Sequence, residues 1–295
     1  MSFRAGHVAV IGRPNVGKST LVNALVGQKV SIVAPRPQTT RHRILGIASG
    51  ADHQLALIDS PGLHSGGKRA LNRALNRTAQ SVLAEADVVL MVSDAQRWTD
   101  EDENALTLAL RAGTPLVLAL NKIDRLEGMS KLLPKMAALG EREGIAAVVP
   151  ISARLRDGLD PLRAALIERL PVQPAMYEAD AVTDRSERFL SAELIREQLT
   201  RILRDELPYS LSVSVDQFKL DGALTRIDAT IWVERDSQKG IVIGAGGANL
   251  KTVGSAARQA IERMLDGKVF LALNVRVRDS WADDERALRA LGIGE

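Results

Sequence analysis

The sequence predicts two folded units in series: an α/β unit built on a mainly parallel sheet, then a smaller α+β unit. Three observations carry this expectation. Across residues 1–170, short apolar runs alternate with amphipathic stretches, the pattern of strands buried on both faces beneath helices. Leu170-Pro171-Val172-Gln173-Pro174 then halts helical structure twice, because proline lacks the backbone donor and clashes with the preceding turn. Beyond this break the order becomes helix, two strands, two helices and a strand. A length of 295 residues also favours two domains. The boundaries fall at 1–170 and 184–295, with 171–183 as a linker.

In the first unit, candidate strands lie at 7–11, 44–48, 54–58, 88–92, 116–120 and 147–151. Helical patterns fill the gaps, among them 18–26, 104–111 and 159–170. After the linker, Asp184 with Glu187 three residues on has the form of a capping box, predicting a long helix to about residue 206. Residues 211–219 and 225–234 alternate as strands, joined by the turn-forming pair Asp221-Gly222. A short helix at 238–243, a glycine loop, a helix at 248–265 and a strand at 269–277 complete the order.

Composition narrows the function classes. With 45% hydrophobic and 25% charged residues, the chain is an ordinary globular one. It contains no apolar run long enough to span a bilayer, and its N-terminal apolar run is too short for a signal peptide. The absence of cysteine excludes disulfides, thiolate catalysis and cysteine-held zinc, and fits a reducing compartment. The four histidines are scattered without zinc-ligand spacing. A cytosolic protein without a structural metal is expected. Net charge is +3, but residues 1–170 hold 22 basic against 16 acidic side chains, and 171–295 hold 17 against 20. Nucleic-acid binding by the second unit must therefore rest on a local site.

Two glycine loops stand out. The first, Gly12-Arg13-Pro14-Asn15-Val16-Gly17-Lys18-Ser19, follows a strand, opens a helix, and matches the phosphate-cradling loop of nucleotide hydrolases. Its backbone N–H groups and the helix dipole attract phosphate. Lys18 would reach the β- and γ-phosphates, and Ser19 would ligate Mg²⁺. Asn121-Lys122-Ile123-Asp124 chooses the base. A carboxylate at Asp124 accepts both the ring N–H and the exocyclic amine of guanine, whereas adenine would leave it unpaired. Asn121 would tie this loop to the first, the Lys122 stem would cover the base, and Ile151-Ser152-Ala153 would offer a backbone N–H to guanine O6. Asp59-Ser60-Pro61-Gly62 ends the third strand; Asp59 would hold Mg²⁺ through water and the Gly62 N–H would sense the γ-phosphate. Residues 63–70, with Ser65-Gly66-Gly67, form a candidate switch. In Gln38-Thr39-Thr40-Arg41, Thr40 is the preferred second Mg²⁺ ligand and Thr39 the alternative. Both loops would be ordered by γ-phosphate and Mg²⁺.

The motifs GRPNVGKS, QTTR, DSPG, NKID and ISA, in this order, resemble the translation-factor-like GTPases and, within them, the Era family. The resemblance extends through TDRSERF (183–189) to SWADDERALRALG near the C-terminus. Departures are DSPG where DTPG is usual, and Pro35 and Pro37 in the first switch. Leu63 stands where many small GTPases have the glutamine that orients the attacking water; leucine cannot do this. His64 is one substitute, backbone and γ-phosphate another, a partner a third, and slow intrinsic hydrolysis is expected. Asn15 matches a P-loop asparagine that some Era-like GTPases use to bind K⁺.

The second loop, in KGIVIGAGGANLK (239–251), has three readings. A dinucleotide fingerprint needs a third glycine where Asn249 stands, and a strand before it. A packing turn between two helices is the plain alternative. The third reading is a type II KH module, in which Gly244-Ala245-Gly246-Gly247 joins two helices and clamps an RNA backbone. Lys239 and Lys251 flank it, and Arg235, Arg258 and Arg263 add local positive charge. Low aromatic content, 3%, suits backbone clamping better than base stacking on a sheet. Related loops often carry a basic residue inside the glycine motif; here it is Ala245-Gly246, which should weaken salt-dependent affinity.

The Era resemblance implies binding of GTP and GDP, and of the 3′ end of small-subunit (16S) ribosomal RNA in small-subunit assembly. It implies a monomer, cytoplasmic with a peripheral inner-membrane pool, although no segment explains membrane attachment; DNA is not an expected partner. An RNA-binding assembly factor holding GTP as a structural ligand is the alternative from another class. A GTPase driving RNA modification is weaker, since no second catalytic constellation is visible.

Overall fold

A computed structural model of the chain describes residues 2–34, 36, 39–62, 70–203, 211–290 and 293. The first unit is a six-stranded sheet made by β1 (Arg4–Ile11), β2 (Ile44–Ser49), β3 (His53–Asp59), β4 (Val88–Asp94), β5 (Leu116–Asn121) and β6 (Ile145–Pro150), in the order β2-β3-β1-β4-β5-β6. Only β2 runs antiparallel to its neighbour. Successive residues of β1 serve opposite faces. Val8 and Val10 pack with Leu21, Val22 and Leu25 of α1 (Lys18–Val26) and Leu162 and Leu166 of α5 (Leu159–Ile167). Ala9 and Ile11 join a second core with Val82 of α2 (Ala70–Ala84), Ala105 and Leu106 of α3 (Asp100–Leu110) and Leu139 of α4 (Leu133–Gly140). Each fully buried aliphatic side chain contributes roughly 1.5–3 kcal/mol, so two covered faces anchor the loops at the strand ends. The chain order reverses beside β1, and the first glycine loop leaves β1 there, at the carboxyl edge where α/β sheets bind ligands.

Helix α3 starts four residues before its expected position. Asp102 accepts from the Thr99 N–H and hydroxyl (2.9 and 2.8 Å), closing a capping box. Its acidic first turn lacks apolar periodicity and hides this start.

The second unit orders β7 (Leu211–Asp221), β8 (Leu224–Val233) and β9 (Lys268–Val277) as β7-β8-β9, with β9 parallel to β8. One sheet face is covered by α6 (Glu187–Ile202) and α8 (Ala248–Leu265), with α7 (Asp236–Ile243) leading into α8. Leu194, Ile195 and Leu199 meet Ile227, Ile231, Val253 and Ile261 in this core. This is the αββααβ order of a KH domain.

The α6 start is a correction to the sequence reading. Ser186, not Asp184, is its N-cap, accepting from the Phe189 N–H at 3.3 Å. Asp184 instead faces the guanidinium groups of Arg43 and Arg185, stronger partners than a helix end. The helix ends at Ile202, short of residue 206, which lies outside the described residues. A short helix α9 (Glu285–Ala290) follows. Before it, Trp281 and Ala282 are buried against Leu71, Ala74 and Leu75 of α2.

The linker is fastened to the first unit. Gln54, buried within β3, accepts from the Met176 and Tyr177 N–H groups and donates to the Tyr177 carbonyl, all at 2.8–2.9 Å. Val172 bridges Arg4, and Thr183 bridges Gly46 on the outer edge of β2, pairing an edge that would otherwise be open.

Candidate nucleotide and RNA sites

Five loops converge on one cavity of about 790 Å³. Gly17 turns the first loop through the left-handed region (φ 103°), and a Cβ there would lie 2.4 Å from Asn121 Nδ2, so only glycine fits. Asn121 binds three partners: it donates to the Val16 carbonyl (2.8 Å) and accepts from the Lys122 and Ala153 N–H groups (2.8 and 2.9 Å). One side chain thus joins the phosphate loop, the NKID loop and the ISA loop. Lys122 adds a second tie, from Nζ to the Asn15 carbonyl (2.7 Å) and to Asp94 (2.9 Å). Asn15 itself has φ 61°, and Pro14 lies against Gly62, whose added Cβ would meet the Pro14 nitrogen at 3.0 Å. Arg13 ties the phosphate loop to α3 through buried Asp102 (2.9 Å).

Lys18 is buried and donates to the Gly12 and Arg13 carbonyls at 3.0 and 3.1 Å. Burial lowers its pKa to about 8, against the opposing pull of the Asp59 charge. Asp59 is buried too, and burial pushes its pKa up, against the Ser19 hydroxyl and the Lys18 charge. The Ser19 hydroxyl lies near enough to favour the charged form, but among the described residues no group reaches either Asp59 oxygen in hydrogen-bond geometry, a costly arrangement unless a ligand completes it. The Ser19 and Thr40 hydroxyls touch at 2.8 Å, whereas the Thr39 hydroxyl turns to the Arg36 carbonyl (2.7 Å). Two hydroxyls and an orphaned carboxylate are a hard-oxygen donor set that fits Mg²⁺. Ser60 is turned away, donating to the Val10 carbonyl at 2.8 Å.

At the base end, the Asp124 carboxylate accepts from the Ser152 hydroxyl (2.6 Å) and from Arg154 (2.7 Å). The Ser152 bond first, and then the Arg154 charge, hold its pKa below the usual carboxylate range. Leu63, His64, Pro35, Pro37 and Gln38 lie outside the described residues.

Sequence reasoning missed a buried polar face on α6 that holds the chain on either side of the first switch. Glu197 accepts from Lys29 Nζ (2.5 Å) and the Val33 N–H (2.9 Å). Arg196, paired with Glu193 at 2.6–2.7 Å, donates to the Thr39 carbonyl (2.5 Å). Arg41, buried, donates to the Leu211 carbonyl (2.7 Å). The only available signal was the spacing of Glu193, Arg196 and Glu197 along one helix stripe, which reads equally well as a solvated face.

In the second glycine loop, Gly244 ends α7 and Gly247 precedes α8. Gly246 and Gly247 have φ 56° and 81°, with nothing within 4 Å of an added Cβ, so their backbone lies open to an approaching chain. Asn249 donates to the Ile241 carbonyl (2.8 Å) and braces the loop. Because a helix precedes the loop, the dinucleotide reading fails. Lys251, Ser255, Arg258, Leu271 and Leu273 line a groove of about 480 Å³ beside it; Lys239 lies on α7.

Fold and sites define a P-loop GTPase joined to a KH domain. A family profile described as a 50S ribosome-binding GTPase matches residues 7–122, and one described as a KH domain matches residues 206–282. GTPase Era of Xanthomonas axonopodis pv. citri is 54% identical over 289 residues, covering 98% of this chain and 97% of its own. GTPase Era of Stenotrophomonas maltophilia is 55% identical over 287 residues, covering 97% and 96%. Two solved structures match with TM-score 0.95 and 34% identity, each covering 98% of this chain and 99% of the other. One is Era in complex with MgGDPNP and nucleotides 1506–1542 of 16S ribosomal RNA; the other is a variant of Aquifex aeolicus Era bound to GDP and AlF4⁻. The chain belongs to the Era family of GTPases.

Proposed function

We propose that this GTPase uses GTP and Mg²⁺ to control how its KH unit presents residues 244–247 to the 3′ end of 16S rRNA during small-subunit assembly. The observation that carries this reading is the shared seam. The segment that supplies Thr40 to the nucleotide cavity is also held by Glu197, Arg196 and Leu211 of the second unit. Residues 1–170 act as the nucleotide unit, 171–183 as linker and 184–295 as the RNA unit. In the cavity, Lys18 neutralises β- and γ-phosphate charge, and the backbone of residues 12–19 cradles the phosphates. Ser19 and Thr40 would ligate Mg²⁺ directly and Asp59 through water. Mg²⁺ held there would supply positive charge that offsets the negative charge developing on the phosphate oxygens during hydrolysis. Gly62 senses the γ-phosphate, Asp124 reads guanine, the Lys122 stem covers the base, and the Ser152-Ala153 backbone faces O6. Asn15 is the candidate K⁺ ligand; equal hydrolysis rates in Na⁺ and K⁺ would remove that role.

Leu63 offers no hydrogen bond to the attacking water, so intrinsic hydrolysis is slow and a partner or His64 assists it. An unchanged rate in His64→Ala would eliminate the histidine. The decisive experiment measures affinity for a 16S 3′-end RNA in the GDPNP and GDP forms. A difference is expected, and equal affinities would refute nucleotide control. The reading of GTP as a structural ligand keeps its support from Leu63; single-turnover hydrolysis that stays negligible with and without small subunits would favour it. Among the described residues no helix is long and apolar enough to cross a membrane. A cytoplasmic monomer with a peripheral membrane pool is part of the same proposal, tested by sedimentation with and without lipid vesicles.

A further inference from the structure

Arg154 has no place in the motifs above, yet its guanidinium sits on the acceptor that would read the base. Asp124 is approached from two sides. Ser152 bonds one oxygen at 2.6 Å from behind, and is not part of the cavity wall. Arg154 bonds the other at 2.7 Å and does line the cavity. The Asp124 side chain is only 5% exposed, whereas that of Arg154 is 69% exposed. A nearly enclosed carboxylate therefore offers the cavity one face, and an exposed cation from the cavity rim already donates to it.

We propose that Arg154 is a built-in competitor for the guanine edge, a specificity-determining residue that lowers affinity for guanine nucleotides and narrows their preference over hypoxanthine nucleotides. The inference rests on Asp124 as the base reader. Guanine presents two donors, the ring N–H and the exocyclic amine, so it engages both carboxylate oxygens and displaces Arg154. Hypoxanthine lacks the amine and presents one donor, so Arg154 keeps its oxygen. The competing pair is solvent-facing on the arginine side, which limits its strength to that of a surface ion pair, a factor of about three in affinity. Ionic strength screens it further. The same competition shortens nucleotide residence and favours spontaneous exchange.

The test compares GDP and inosine diphosphate binding by titration calorimetry in wild type, Arg154→Met and Asp124→Asn, with Mg²⁺ present. Methionine keeps an apolar stem of similar reach and removes every donor. GDP affinity should rise about threefold in Arg154→Met while inosine diphosphate affinity stays constant, and the GDP gain should shrink as salt rises. A fall in GDP affinity, an equal gain for both nucleotides, or no change in either overturns the proposal. Asp124→Asn separates the two levels of failure. If it leaves GDP affinity intact, the base-reading assignment is wrong and the competition falls with it. If it collapses GDP affinity while Arg154→Met changes nothing, base reading stands and only the competition is refuted.

Discussion

Replacing Glu197 with glutamine tests the seam between the two units with minimal change of shape. The carboxylate is fully buried and accepts from Lys29 Nζ at 2.5 Å, the Val33 N–H at 2.9 Å, Arg201 at 3.2 Å and the neighbouring Gln198 amide at 3.3 Å. Glutamine keeps a carbonyl oxygen for Val33. Toward Lys29 it presents either a neutral oxygen or an amide that opposes the ammonium, so the charge-assisted bond is lost. Such bonds contribute about 1.5–3 kcal/mol when enclosed. Lys29 is 43% exposed, and solvent screening reduces the loss to about 1–2 kcal/mol. The docked arrangement should then be disfavoured by roughly 5- to 30-fold. Because the chain has no cysteine, two can be introduced at exposed Glu141 and Lys219 for fluorescence energy transfer between the units. The variant should show a larger undocked population, melting transitions of the separate cores close to wild type, and a weaker dependence of RNA affinity on nucleotide. Unchanged transfer together with unchanged nucleotide dependence would refute the idea that Glu197 couples the units.

Lys18 predicts a pH profile. Phosphate binds its ammonium form, and with its present neighbours the pKa is about 8. GDP affinity should be flat below that pH and fall by up to about tenfold per unit above it, with proton uptake detectable in buffers of different ionisation enthalpy. Stability without nucleotide moves the other way. Between about 8 and the ordinary 10.5 the unfolded chain holds a proton that the folded chain lacks, so stability rises with pH across that window. Ala245→Lys should raise RNA affinity and steepen the log-affinity against log-salt slope by about 0.7; an unchanged slope would mean that the loop touches no phosphate. Trp281→Ala should cost about 3–5 kcal/mol and speed hydrogen exchange in α2, against which Trp281 packs; unaltered exchange across 70–84 would break the link.

Legibility followed the chemistry of each element. The phosphate and base loops were readable because each needs particular residue types at fixed spacing, as Gly17 beside Asn121 illustrates. The KH loop was readable from glycines between two helices, with Asn249 excluding the competing fingerprint. The α6 cap was misplaced because Asp184 and Ser186 both suit that role, and only the guanidinium groups of Arg43 and Arg185 decide between them. The seam was hidden because Glu193, Arg196 and Glu197 on a helix suggest solvent, and burial of such groups depends on partners distant in sequence. Arg154 was hidden for the opposite reason, since nothing in its local sequence points back to Asp124.

The fastened linker determines the kind of movement open to this molecule. Thr183 is pinned to the edge of β2, Ser186 already caps α6, and Arg185 reaches back to the Arg43 carbonyl. Only Asp184 and Arg185 separate the two anchors, a span of at most about 10 Å of extended chain. On the function proposed above, the second unit would act as a gate on a short hinge at one corner of the sheet, which a ribosomal partner would turn but not carry away. Opening therefore costs contacts but little translational freedom, the two halves stay at high effective concentration, and reclosure after each turnover needs no search.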